Sequence, residues 1–162
     1  MSGATFDRTC RYRYNLWRSW DKKLPAMAFL MLNPSKADAV SNDQTISTCL
    51  AIARRLGYGG VEVVNLFAYC ATQPTELMAA RHPVGKANDE YIVDAIASAD
   101  TVLLAWGNHG ALKSRSDQVL QLIDVGSNKL FCLGKTKKGH PRHPLYLPSS
   151  TPLVPFFTGV DE

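Results

Sequence analysis

The sequence predicts an α/β domain: a central, mainly parallel sheet of four strands between two layers of helices, with a β-hairpin at its N-terminal end. Three observations carry that expectation. Segments of six to eight residues dominated by apolar side chains recur four times, the stretches between them show helical periodicity, and each apolar segment ends in a cluster of Asn, Gly, Pro or His. Strands separated by helices enter a sheet in the same direction, because the intervening helix carries the chain back across it.

The elements follow in order. CRYRYNLWRSWD (10–21) alternates large and charged residues as a half-buried hairpin does, and AMAFLMLN (26–33) is the first buried strand. In the next segment Ser41, Asn42 and Asp43 offer N-caps, and Ile46, Cys49, Leu50, Ala53 and Leu56 share one helical face. Gly57, Gly59 and Gly60 stop that helix. VEVVNLF (61–67) is the second strand, and PTELMAAR starts a short helix with Pro74 at its first position. Residues 86–100 form a longer helix with Ile92, Ala95, Ile96 and Ala99 inward, and TVLLAWG (101–107) is the third strand. A last helix runs over 111–124 through Leu112, Val119, Leu120 and Ile123, and KLFCLG (129–134) is the fourth strand.

At 162 residues with 46% hydrophobic composition, the chain has the size of a single domain, 1–162. No segment reaches the roughly 18 apolar residues of a membrane span, and the start, MSGATFDRTC, shows neither an apolar leader core nor a cleavage site, so a cytoplasmic location without a membrane partner is expected. Cys10, Cys49, Cys70 and Cys132 are scattered singly, without zinc or iron–sulfur spacing; reduced and mostly buried thiols, no metal and no cofactor are expected. Net charge is +4, unevenly spread: residues 1–23 hold six Lys/Arg against two acids, 24–124 seven against ten, and 125–162 five against two. Basic ends that meet in the fold would make one positive face suited to phosphates.

In open α/β sheets, ligands bind beyond the carboxyl ends of the strands. Here those ends carry Asn33-Pro34-Ser35, Asn65 with Phe67 and Tyr69, Trp106-Gly107-Asn108-His109, and the loop GKTKKGHPRHPLYLP (134–148). That loop puts His140 and His143 among three prolines and three lysines with no carboxylate, and proline fixes the direction in which such side chains are held. Each residue also has a plainer reading. Asn33-Pro34 suits a turn, Asn65 suits a strand-end cap, and Phe67, Tyr69 and Trp106 suit packing. His82 and His109 read as structural or surface residues, and two histidines without a third ligand make a poor zinc site.

LMLNPSKADA, NDQTISTCLAIARRLGYGGVEVVNLFAYCATQPTEL, HPVGKAND, LLAWGNHG and LGKTKKGHPRHPLYLP together resemble the family called domain of unknown function 1643, over nearly the whole chain. A motif-level resemblance to the uracil-DNA glycosylase superfamily accompanies it. Asn33-Pro34 is similar to the NP of that superfamily's first-strand motif, VVNLFAYCATQPTEL to its second-strand segment, LLAWGNHG to its third-strand LLWG, and His140-Pro141 to the start of its HPSP motif. Met31 and Ser35 stand where glycines are usual, and HPRHP is one residue longer.

The second resemblance implies a fold of the glycosylase type and recognition of a nucleic acid or nucleotide, with hydrolysis of an N-glycosidic bond. The alternatives are a non-catalytic binding module of the same kind and a metal-dependent hydrolase. In the implied chemistry Asn33 orients a water, His140 or His143 donates to the departing base, Asn65 pairs with a base edge and Phe67 or Tyr69 stacks on the ring. Lys135, Lys137, Lys138 and Arg142 grip phosphates, and Arg142 or Leu145 wedges into the gap left by a flipped base. Asp38 or Asp43, if turned into the pocket, is the better general base.

Overall fold

The structure, a computed structural model, describes residues 1–124, 126 and 129–157; the last five residues of the expected 1–162 domain lie outside that set. Strands β1 (Ser2–Phe6), β2 (Arg13–Ser19), β3 (Ala26–Met31), β4 (Gly60–Asn65), β5 (Thr101–Leu104), β6 (Leu130–Cys132) and β7 (Val154–Pro155) form one mixed sheet in the order β1-β2-β4-β3-β5-β6-β7. β3 pairs in parallel with β4 and β5, and β5 with β6; β1, β2 and β7 run antiparallel to their neighbours.

The sheet is therefore larger than the four strands expected. The hairpin is not an appendage, because β2 pairs with β4 from Leu16–Val63 to Ser19–Gly60 and extends the same sheet. Its first strand is Ser2–Phe6 rather than a segment after Cys10, whose φ of 60° lies in the turn. Gly3 makes that pairing possible: a Cβ there would lie 2.1 Å from the Trp17 ring.

Helix α1 (Gln44–Arg55) packs on one sheet face, where Ile46, Cys49, Leu50, Ile52 and Ala53 join Met27, Phe29, Val61 and Val63. Leu56, expected inward, is the C-cap residue and 37% exposed. Helices α2 (Pro74–Ala79), α3 (Asn88–Ser98) and α4 (Arg115–Leu122) cover the other face through Leu77, Ile92, Ala95, Ile96 and Val119 against Leu30, Val64 and Val102. α4 begins later than the periodicity suggests. Residues Asn108–Ser114 are 3₁₀-like, and Lys113 and Ser114 sit at φ 54° and 57°, left-handed conformations that an α-helix cannot contain.

Among the described residues, no helix is long and apolar enough to cross a membrane. From β3 the chain crosses to β4 on one side, and from β4 it returns over β3 to β5 on the other. Loops leaving β3 and β5 thus diverge, which opens a crevice at their carboxyl ends.

Candidate functional site

The crevice is built around strand ends whose backbone is held by side chains. Beyond β4 the carbonyls of Asn65 and Leu66 leave the ladder, and Asn88 Nδ2 donates to both at 2.9 and 3.1 Å. Arg115 Nε donates to Leu66 O at 2.7 Å while its Nη2 pairs with Asp89. On the α1 side two buried arginines of β2 hold the loop between β3 and α1. Arg13 Nη1 donates to Ala37 O, and Arg18 donates to Asp38 O, Ser41 O and Asn42 Oδ1. Unpaired buried carbonyls are costly, and this loop of twelve residues has no ladder of its own, so the guanidinium groups take that role.

Two cavities open at this rim. The inner one, about 210 Å³, is lined by Arg13, Asn65, Asp43 and Thr45; the outer one, about 670 Å³, by Trp106, His109, Arg142 and Tyr146. Asn33, Thr72, His143 and Leu145 line both, and so stand where the cavities meet. Asn33 spends its two amide hydrogens on Pro34 O at 2.9 Å and Ala71 O at 2.8 Å, leaving Oδ1 as its unused acceptor. His143 caps the 3₁₀ turn Pro144–Tyr146: its Nδ1 accepts the Leu145 N–H at 3.1 Å, so the proton of the neutral ring sits on Nε2. Burial holds the His143 imidazole below its ordinary value of 6.5, with the Asp43 charge partly opposing.

The loop of residues 134–143 folds back on itself. Thr136 N–H donates to His140 O, Arg142 N–H to Gly134 O, and Gly107 N–H to Pro141 O, while Gly134 and Gly139 supply the positive φ of its turns. Its two histidines consequently face different spaces. His140 Nδ1 accepts from Trp106 Nε1 at 3.1 Å, and the ring lines a separate cavity with Ser116, Asp117 and Lys138. Trp106 is the wall between that space and the outer cavity.

Of the residues singled out from sequence, the rim brings together Asn33, Asn65, Asp43, His143 and Arg142. Ser35, Trp106, His109 and Leu145 also line it, and the rest lie elsewhere. Phe67 is fully buried, and the cavity it lines is a different one of about 700 Å³. Tyr69 packs edge-on against Tyr12. Lys135 lies over the Phe156 ring, and Lys137 is exposed. Asp38 closes a turn by accepting the Val40 and Ser41 N–H groups, which lower its pKa. Asp43 combines two roles, capping α1 at Ile46 N–H and lining the inner cavity. The 700 Å³ cavity shares no lining residue with the other two; in it Tyr12 Oη donates to His82 O, and Arg115 is engaged by Leu66 and Asp89.

Sequence reading missed Arg13, Thr45 and Thr72. Arg13 is 2% exposed, its Nε has no hydrogen-bond partner, and burial presses its guanidinium below its ordinary pKa. Asn65 is equally buried, and its Nδ2 has no partner either. Nothing local marks Arg13, because an arginine in an alternating strand reads as solvent-facing. Among the described residues no cluster of His, Cys, Asp and Glu could hold a metal.

A family model described as "Protein of unknown function (DUF1643)" matches residues 13–145 of the 162. The chain belongs to this family. The DUF1643 match starts at Arg13 and ends at Leu145, both of which line the inner cavity, so the whole inner lining lies within it, while Tyr146 and Leu147 of the outer cavity follow just after. No curated protein and no solved structure matches the chain.

Proposed function

We propose that the joined cavities recognise a nucleotide, free or within a nucleic-acid strand, and that the reaction their groups suit is hydrolysis of its N-glycosidic bond. One observation carries this: at the junction Asn33 keeps one unused acceptor and His143 one unused donor. Cleaving the bond between sugar and base makes the sugar positive and the base negative, so the site needs a water held against the sugar and a donor facing the base. Asn33 Oδ1 orients that water. As the water oxygen bonds the anomeric carbon, the bonding pair leaves with the base nitrogen, and His143 Nε2–H donates to the base as negative charge builds on it.

The outer cavity, walled by Trp106 and Tyr146, has the size and apolar surface to take a planar ring. The resemblance of the strand-end segments to the uracil-DNA glycosylase superfamily adds to this reading, and with it goes a fold of that type. An amide is no proton acceptor at neutral pH, so turnover is slow unless Asp43 or solvent takes the water's proton. Asp43 spends Oδ1 on the α1 cap, and this favours the second reading, a module that binds the same ligand without cleaving it.

The test is incubation with nucleoside 5′-monophosphates and with oligonucleotides carrying uracil, hydroxymethyluracil, hypoxanthine or mismatched thymine. Free base and alkali-labile breaks are the readouts. Release is expected from the wild type and from neither Asn33→Ala nor His143→Ala. Binding without release points to the module; absence of both removes the nucleotide reading.

A further inference from the structure

The inner cavity has three features that ask for the same thing. Arg13 lines it as a cation 2% exposed, with Nε unpartnered and Nη1 the nitrogen that bonds a carbonyl. Asn65 lines it with an unpartnered Nδ2, also at 2% exposure. The N-terminus of α1, a helix of 12 residues, opens onto it through Thr45 and Ile46. Buried donors without acceptors are destabilising, and a buried guanidinium without a counter-ion more so, whereas a helix N-terminus adds positive potential. Asp43 is the one acidic residue in that lining. It is turned to the Ile46 N–H at 2.9 Å and among the described residues forms no ion pair with Arg13, so its charge offsets that guanidinium only across the cavity.

We infer that this cavity is an oxyanion subsite, in which Arg13 Nε–H and Asn65 Nδ2–H hold the phosphate of a phosphomonoester. A tetrahedral group suits it better than a carboxylate. Donors arrive from β2 and from β4, and Ser35 and Thr45 line the remaining wall beside the α1 N-terminus, whose Ile46 N–H is held by Asp43. At about 210 Å³ the space admits one compact group. The rest of the ligand then passes the Asn33–His143 junction into the outer cavity.

For a nucleotide this order is phosphate, sugar, base, which brings the sugar to Asn33 and His143; in this respect the inference rests on the function proposed above. It also gives Asn65 an anion to hold in place of a base edge. The bound species is a free monophosphate or a strand bearing a terminal phosphate, rather than an internal phosphodiester.

Calorimetric titration with inorganic phosphate, a nucleoside and its 5′-monophosphate tests it. The monophosphate is expected to bind at least ~10-fold more tightly than the nucleoside, and Arg13→Met to erase that difference. Asn65→Asp, nearly isosteric, puts negative charge beside Arg13 and is expected to erase it as well, which covers the case in which Arg13→Met does not fold. Comparing 5′-phosphorylated with unphosphorylated oligonucleotide separates a strand end from a free nucleotide. Equal affinity for nucleoside and monophosphate overturns the inference, and so does a preference that survives Asn65→Asp. Inorganic phosphate bound and lost in Asn65→Asp, with no nucleoside or nucleotide bound, keeps the subsite and removes the nucleotide reading.

Discussion

Exchanging Asn33 for aspartate keeps the shape of the side chain and reverses its hydrogen-bonding role. The amide donates to Pro34 O and Ala71 O; a carboxylate in its place would face both carbonyls with no hydrogen to offer. Asn33→Asp is expected to lower stability by roughly 1–3 kcal/mol, seen as a lower urea midpoint at unchanged slope. His143 makes a pH-dependent contribution whose sign follows from its depressed pKa. The unfolded chain takes up the proton first, so stability falls as pH drops below 6.5 through the lower folded value. Histidine NMR should find His143 titrating below 6.5, and thermal melts of His143→Gln should show less loss of stability across that range. At this scale the sequence was partly readable. Asn33, Asn65 and His143 stood out because amides and imidazoles at strand ends are chemically unusual. Arg13 did not, since only a loop 24 residues away makes it interior.

Between elements, the β4 end is shaped by side chains from α3 and α4. Asn88→Ala would take from Asn65 O the amide that holds it and leave Leu66 O to Arg115 alone, and a loss on the order of 1–3 kcal/mol is expected in chemical denaturation. Weakened ligand binding should accompany it, because Asn65 follows its own backbone. The four parallel strands, α1 and α3 were legible because long periodic segments declare themselves locally. β1 and β7 were not. MSGATF has no clear alternation and becomes a strand by pairing with β2, and β7 is two residues against β6. The 3₁₀ segment before α4 escaped for another reason: Gly110 sits where a Cβ would lie 2.1 Å from the Trp106 indole, so tertiary packing sets the backbone there.

For the molecule as a whole, the expected positive face is thinner than the charge count suggests. Arg13 and Arg18 are interior, and Lys135 lies on Phe156, which leaves Arg142 as the loop cation that lines the outer cavity. In gel-shift titrations at low salt, Arg142→Glu should weaken oligonucleotide binding more than Lys135→Glu does, and raising salt should narrow the gap. Equal effects would mean that charge, not position, governs attraction. Sheet order decided what residue patterns left open: the return of the chain over β3 puts the divergence of loops between β3 and β5, and so gathers Asn33 and Trp106 at one place. The indole that closes the outer cavity is also a chromophore, bonded to an imidazole on its far side, while Trp17 and Trp20 lie out on the hairpin and the turn after it. An occupant that reaches this indole would alter its emission, so the outer cavity has an intrinsic optical reporter in its own wall.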